Sequence, residues 1–286
     1  MKRNLLLLIS LLTLFGCKSS KPIQQLPQQQ ESRLMDVAYG KHERQIMDVF
    51  LPAKRNKNTP FVLLIHGGAW TMAGKEYIRD YQDTLFQHGI AVVSINHRYA
   101  DHAAIHYQQM LADIDQALDY CIAHSSEWNT RKDGFTMTGV SSGAHLALLY
   151  GYTSSKRIKT IVEFCGPVNL TDTTTLAYSE KVGLKDVIEK MTGHTYESGQ
   201  PLDISFYKSS PIKHIKDIPV LIVHGTADPV VDFSQSQQLS DSLSNRKIVH
   251  ELVRIEGAGH DLNMTDKNAR KRVYGAAIQW IKQYGH

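Results

Sequence analysis

Phe135-Thr136-Met137-Thr138-Gly139-Val140-Ser141-Ser142-Gly143-Ala144-His145-Leu146-Ala147-Leu148-Leu149-Tyr150 is the stretch that decides the fold. It opens as a strand, with apolar and polar residues alternating from Phe135. It closes as a helix, with apolar residues closely spaced from Ala144 to Tyr150. Between them lies Gly139-x-Ser141-x-Gly143, the pattern that holds a serine on a sharp strand-to-helix turn. Such a turn is crowded, so its flanking positions tolerate little or no side chain. The serine Oγ then stands clear of the sheet. The first N–H groups and the positive dipole end of the following helix point at the same spot. A nucleophilic oxygen and a developing oxyanion both gain from that arrangement.

Working backward, Phe61-Val62-Leu63-Leu64-Ile65 is a short unbroken apolar run, the mark of a strand covered on both faces. It leads directly into His66-Gly67-Gly68-Ala69-Trp70. Two glycines after a buried strand let backbone N–H groups face a small cavity, as an oxyanion hole requires, and they also suit a plain strand-exit turn. Before this, 33–40 and 44–51 alternate like two antiparallel strands about Gly40-Lys41. Working forward, 75–88 reads as a helix stopped by Gly89, and Ile90 to Ile95 as another buried strand. A helix over about 105–124 carries Leu111, Ile114, Leu118, Cys121 and Ile122 on one face.

After the serine stretch, 159–167 is a further strand. The segment 169–217 then breaks the rhythm with a polar run (171–175), one helical stretch near 180–191 and a loop through 193–211. Ile218 to Gly225 is the next strand, followed by Thr226-Ala227-Asp228-Pro229-Val230-Val231. The last strand, 248–255, leads into Gly257-Ala258-Gly259-His260. A final helix over about 267–283 presents Val273, Ala277, Trp280 and Ile281 on one face. Strands alternating with helices in this way predict an α/β fold: a mostly parallel central sheet with helices on both faces.

The paired motifs, Gly139-x-Ser141-x-Gly143 and His66-Gly67-Gly68, resemble those of the α/β-hydrolase esterases and lipases. The segment His224-Gly225-x-x-Asp228-x-x-Val231 resembles the loop that carries their acid. The chain order Ser141, Asp228, His260 is the order of their triad. The resemblance covers residues 33–286 and is nearest to small carboxylesterases with the His-Gly-Gly motif, including enzymes that remove acetyl or feruloyl groups from plant polysaccharides. It implies Ser141 as nucleophile, His260 as base and Asp228 as acid. It also implies the N–H groups of Gly68, Ala69 and Ser142 as oxyanion donors. Ala69 stands where the family often has a third glycine, and its N–H survives the change. His66 belongs to the turn of the motif and is expected to be structural. Asp232 is the rival acid, expected instead to cap a helix. The insertion 169–217 corresponds to the family's cap, here short enough to leave an open groove. The implied reaction is acyl transfer from a small-molecule or glycan ester to water through an acyl-enzyme, with neither metal nor organic cofactor. A serine peptidase of the prolyl oligopeptidase type shares these motifs, and a glycan-binding protein on an inactive hydrolase scaffold is the non-enzymatic alternative.

The chain has 286 residues, 42% hydrophobic and 21% charged, which suits one globular domain (34–286) with a tail. The formal net charge is +4 without a long basic tract, so nucleic acid is not an expected partner. The 14 histidines are scattered without metal-ligand spacing. At the N-terminus Lys2 and Arg3 precede an apolar run, Leu5 to Phe15, too short to span a bilayer. That pattern reads as a signal peptide over 1–16. Leu14-Phe15-Gly16-Cys17 resembles a bacterial lipoprotein box, with Phe15 larger than the usual residue. The resemblance implies a lipidated Cys17, a palmitate-type anchor to membrane, and residence in the cell envelope, periplasmic or surface-exposed. An ordinary signal peptide cleaved nearby would give a soluble exported protein instead. Residues 17–33, polar and proline-broken, are expected to act as a flexible tether spanning about 20–25 Å. Cys121 and Cys165 sit in apolar patterns and are expected as buried thiols rather than a disulfide.

Overall fold

The computed structural model describes residues 29–286. The expected signal peptide, Cys17 and most of the tether lie outside the described residues. Eight strands form one sheet: β1 (Ser32–Ala38), β2 (Ile46–Leu51), β3 (Phe61–Ile65), β4 (Ala91–Ile95), β5 (Phe135–Val140), β6 (Ile158–Phe164), β7 (Val220–Gly225) and β8 (His250–Ile255). The helices are α1 (Arg79–Gln87), α2 (Tyr107–Ala123), α3 (Ser125–Trp128), α4 (Ser142–Thr153), α5 (Thr173–Lys181), α6 (Lys185–Thr192), α7 (Ile204–Lys208), α8 (Ser234–Asn245) and α9 (Lys267–Tyr284). No helix among the described residues is long and apolar enough to cross a membrane.

The strand order is β1-β2-β4-β3-β5-β6-β7-β8. β1 and β2 are antiparallel, β2 pairs antiparallel with β4, and β4 through β8 run parallel. The chain steps one way from β3 to β4 and the other way from β5 onward. The reversal falls between β3 and β5, and in open α/β sheets the crevice beyond the strand ends at such a reversal is where ligands bind. The HGGA turn leaves β3 there, and the Ser141 turn leaves β5 beside it.

Alternation within the buried strands feeds two cores. Phe61, Leu63 and Ile65 of β3 join the core under α2, α4 and α8. Val62 and Leu64 face the opposite core, under α1 and α9. Right-handed crossovers require this split, because the direction of travel reverses at the switch. The four residues expected on one face of the last helix, Val273, Ala277, Trp280 and Ile281, all sit in the second core. Val273 and Ile281, both fully buried, each contribute about 1.5–3 kcal/mol by leaving water. Cys121 and Cys165 are free, buried and on opposite faces of the sheet.

Four local readings are corrected. The helix expected over 75–88 is a 3₁₀ turn at Lys75–Ile78 followed by α1. Two helices, α5 and α6, replace the one expected near 180–191. The polar run 171–175 is the start of α5, because Asp172 accepts hydrogen bonds from the Thr174 and Thr175 N–H groups. The loop expected through 193–211 contains α7. Together α5, α6 and α7 lie between β6 and β7 and add no strand to the sheet.

Candidate active site

Ser141 follows the last residue of β5, with φ 56° and ψ −122°. A non-glycine residue held there is strained, and strain of this kind gathers at functional sites. The glycines around it answer to close packing. A Cβ on Gly139 would overlap the backbone of Gly143, and one on Gly143 would overlap the Ile65 and His66 carbonyls. The turn therefore packs α4 directly against β5 and the end of β3.

Three side chains from three loops meet at this point. The Ser141 hydroxyl lies 2.9 Å from His260 Nε2. His260 Nδ1 donates to Asp228 Oδ2 at 2.7 Å. The carboxylate thus sets the tautomer, leaving Nε2 free to accept from the serine. Asp228 is buried and fully engaged. Its Oδ1 accepts the Val230 and Val231 N–H groups at 2.8 and 3.0 Å. Burial works to raise its pKa, but hydrogen bonds from His224 and His260 overcome this and hold it well below the usual carboxylate range. Asp232, one residue before the Phe233 N-cap of α8, is exposed and accepts from the Ser234 N–H, and no hydrogen bond among the described residues joins it to His260.

The HGGA turn carries further strain. Gly68, Ala69 and Trp70 all have positive φ, 113°, 46° and 60°. Among the described residues, no hydrogen bond takes the N–H of Gly68, Ala69 or Ser142. Ala69 and Ser142 line the cavity beside Ser141, and Gly68 lines the neighbouring groove. His66 is fully buried, its Nδ1 donating to the Gly67 carbonyl at 2.5 Å and its ring stacked on His97 at 4.6 Å. Burial and the neighbouring His97 lower its pKa well below the ordinary value. It is a fixed neutral strut under the turn.

The serine motif also contains His145, whose role was not legible from its position. Trp70 Nε1 donates to His145 Nδ1 at 3.2 Å, and His145 Nε2 donates to the Ser209 carbonyl at 2.7 Å. The imidazole therefore joins the HGGA turn, α4 and the end of the α5–α7 segment, and does so neutral. Burial pushes its pKa down to about 4. The unfolded chain, with a value near 6.5, binds the proton first as pH falls. This group's contribution is thus complete above about pH 6.5 and is lost toward pH 4. His145→Gln is expected to flatten the acid loss of stability by on the order of 3 kcal/mol between pH 7 and 4. Urea unfolding of both proteins across that range measures it, and parallel pH curves would refute it.

A second buried chain stands behind the acid. His224 Nε2 lies 3.1 Å from Asp228 Oδ2 and 2.9 Å from the Val231 carbonyl, two acceptors, so it carries a proton. His224 Nδ1 lies 2.6 Å from Ser236 Oγ, which lies 3.3 Å from Glu163 Oε1. Glu163 Oε2 accepts the Gly166 N–H at 2.8 Å. Burial pushes Glu163 up to about 7. Burial opposes a charge on His224, but Asp228 and Glu163 outweigh it and raise its pKa. The Ser236 hydroxyl thus links the His224 imidazole to the Glu163 carboxyl. His224 stood in the acid-loop pattern without a role, and Glu163 was one polar letter in an apolar strand.

Cys165, Asp228 and His260 bring potential ligand atoms within 4.8 Å of one another. The donor set does not suit a metal. Burial raises the Cys165 pKa well above the ordinary thiol value, whereas a metal takes the thiolate. The Asp228 and His260 atoms involved already hold each other.

The family model that matches, BD-FAE, spans residues 47–243. Isoprenylcysteine alpha-carbonyl methylesterase ICME of Arabidopsis thaliana is 24% identical over an alignment of 253 residues that covers 80% of this chain and 57% of that protein. The probable carboxylic ester hydrolase LipM of Mycobacterium tuberculosis is 26% identical over 229 residues, covering 73% of this chain and 51% of that one. The chain spans about half the length of the curated relatives it matches. Among solved structures, a truncated carbohydrate esterase from gut microbiota has a TM-score of 0.70 at 21% identity, over 87% of this chain and 95% of that chain. A thermophilic esterase from the Planctomycetes species Thermogutta terrifontis gives 0.68 at 17%, over 88% and 92%. At such identities the structural likeness speaks for the fold, which is that of the α/β-hydrolases. With a family match running from β2 to α8 on that fold, the chain belongs to the BD-FAE family.

Proposed function

We propose that this chain is a carboxylic ester hydrolase that works through a Ser141–His260–Asp228 triad and an acyl-enzyme. One observation carries the reading: the unbroken hydrogen-bonded line from Ser141 Oγ through both His260 nitrogens to Asp228 Oδ2. His260 lies beyond the residues matched by the family model, so its role rests on this geometry. The esterase relatives support the reaction class. His260 takes the Ser141 proton as Oγ attacks the ester carbonyl, a step worth about 10²–10⁴-fold. The unengaged N–H groups of Gly68, Ala69 and Ser142 stabilise the oxyanion, and one such donor is worth about 2.7–4 kcal/mol. Esterified polysaccharides and small acyl esters are the proposed substrates. We further propose that Cys17 is lipidated and that 17–33 tethers the domain to a membrane of the cell envelope. The Lys2-Arg3 start, the short apolar run and the Leu14-Phe15-Gly16-Cys17 box support this.

Fluorophosphonate labelling tests the chemistry without a guess at the substrate. One adduct per chain is expected on the peptide bearing Ser141, and none in His260→Ala. A folded protein that does not label would overturn the assignment.

A further inference from the structure

Ser141 stands on the seam between two unequal spaces. On one side is a cavity of about 140 Å³, walled by Trp70, Leu170, Tyr178, Leu184 and Ile188. On the other is an open groove of about 650 Å³, bordered by Met72, Tyr77, Tyr274 and His260. Ser141, Ala69 and Val230 border both. His260 borders the groove and not the cavity.

That asymmetry fixes which half of an ester goes where. The tetrahedral carbon carries Ser141 Oγ, the oxyanion, the acyl chain and the leaving oxygen. The oxyanion turns to the backbone N–H groups. The leaving oxygen must take its proton from His260 Nε2, and so must sit within hydrogen-bond reach of it. Only the groove offers that position, which leaves the cavity for the acyl chain. We infer that the cavity under α5 and α6 is the acyl pocket and the groove is the alcohol site, so that the substrates are short-acyl esters of bulky alcohols. This rests on the serine-esterase reading above.

The chemistry balances. The Ser141 Oγ–acyl bond forms as the acyl–alcohol bond breaks, and the serine proton leaves on the alcohol by way of His260. Water then adds to the acyl carbon, gives one proton back to Ser141 through His260, and leaves with the acyl group as the carboxylic acid.

Volume sets the acyl limit. A cavity of about 150 Å³ closes around one benzene ring, so the present one holds about six carbon atoms. Its Leu170, Leu184 and Ile188 walls favour an aliphatic chain. Within the limit each added methylene is worth about fourfold in kcat/KM. A feruloyl group, a substituted benzene ring with a three-carbon arm, exceeds it. The groove has no such limit, and its rim exposes two large apolar side chains, Met72 at 58% and Tyr77 at 69%. They give a bulky alcohol an apolar surface to lie on.

The test is a series of p-nitrophenyl esters from acetate to decanoate, with methyl ferulate alongside. An optimum at four to six acyl carbons is expected, roughly tenfold or more above decanoate, with methyl ferulate poor. A kcat/KM that climbs through decanoate, or methyl ferulate preferred over the butyrate, overturns the assignment. Leu184→Ala, on a half-exposed residue, and Ile188→Ala should both move the optimum to longer chains. Tyr77→Ala should keep the acyl optimum while losing turnover of acetylated sugars relative to ethyl acetate. Folded pocket variants with an unmoved optimum would also overturn it. Absence of turnover on every ester, together with no fluorophosphonate adduct, would instead strike the serine-esterase reading.

Discussion

Ser141→Ala is expected to fold like the wild type and to lose about 10⁵–10⁶-fold in kcat toward p-nitrophenyl acetate. Folding should survive for a geometric reason. The strain at φ 56° comes from the Cβ, which alanine keeps, so the variant meets the same turn at the same cost. Among the described residues the hydroxyl has one partner, His260, and a single neutral hydrogen bond at a partly buried site contributes about 1 kcal/mol. Turnover should collapse because, among the described residues, no other hydroxyl is bonded to His260 Nε2. Unchanged unfolding curves with the activity gone are the expected pair of results. Retained turnover would move the nucleophile elsewhere in the chain.

The second large effect concerns the acid. Asp228→Asn should lower kcat by about 10⁴-fold, while Asp232→Asn changes it by no more than a few-fold. Two backbone N–H groups, of Val230 and Val231, require an oxygen at the Oδ1 position. The asparagine amide must therefore turn its NH₂ toward His260 and His224. His260 Nδ1 then has to accept rather than donate, which puts its proton on Nε2. Nε2 can no longer take the proton of Ser141. The opposite amide orientation would set its NH₂ against two N–H donors. Asp232 offers no such leverage, since its exposed side chain accepts one N–H that asparagine also satisfies. Equal losses in the two variants, or a larger loss for Asp232→Asn, would refute the assignment of the acid.

Much of this was legible because the sequence had few other ways to satisfy its physics. Gly139 and Gly143 announce a turn that excludes side chains, and the apolar run at 61–65 announces a strand covered on both sides. Ser141, Asp228 and His260 each follow a strand closely, so knowledge of the sheet places all three at one end of it. The segment between β6 and β7 was less legible. α5 begins with three threonines, poor helix formers, and owes its start to Asp172 and its place to burial of Leu176. The chain from Glu163 to His224 was invisible for a different reason. Its members come from β6, α8 and β7, and they meet only because those elements pack in one register. No spacing within a single segment encodes that meeting.

The placement of α5, α6 and α7 has a consequence for how such a chain can change over evolutionary time. They occupy an excursion between two neighbouring strands and carry none of the three residues of the hydrogen-bonded line. Insertions, deletions or replacement of that excursion can reshape the roof while β5, β7 and their turns stay as they are. One tie to preserve is the Ser209 carbonyl that holds His145, and through it the turn that begins at His66. The same division gives an engineer a natural cassette: exchange the excursion, keep the chassis, and screen for a new appetite.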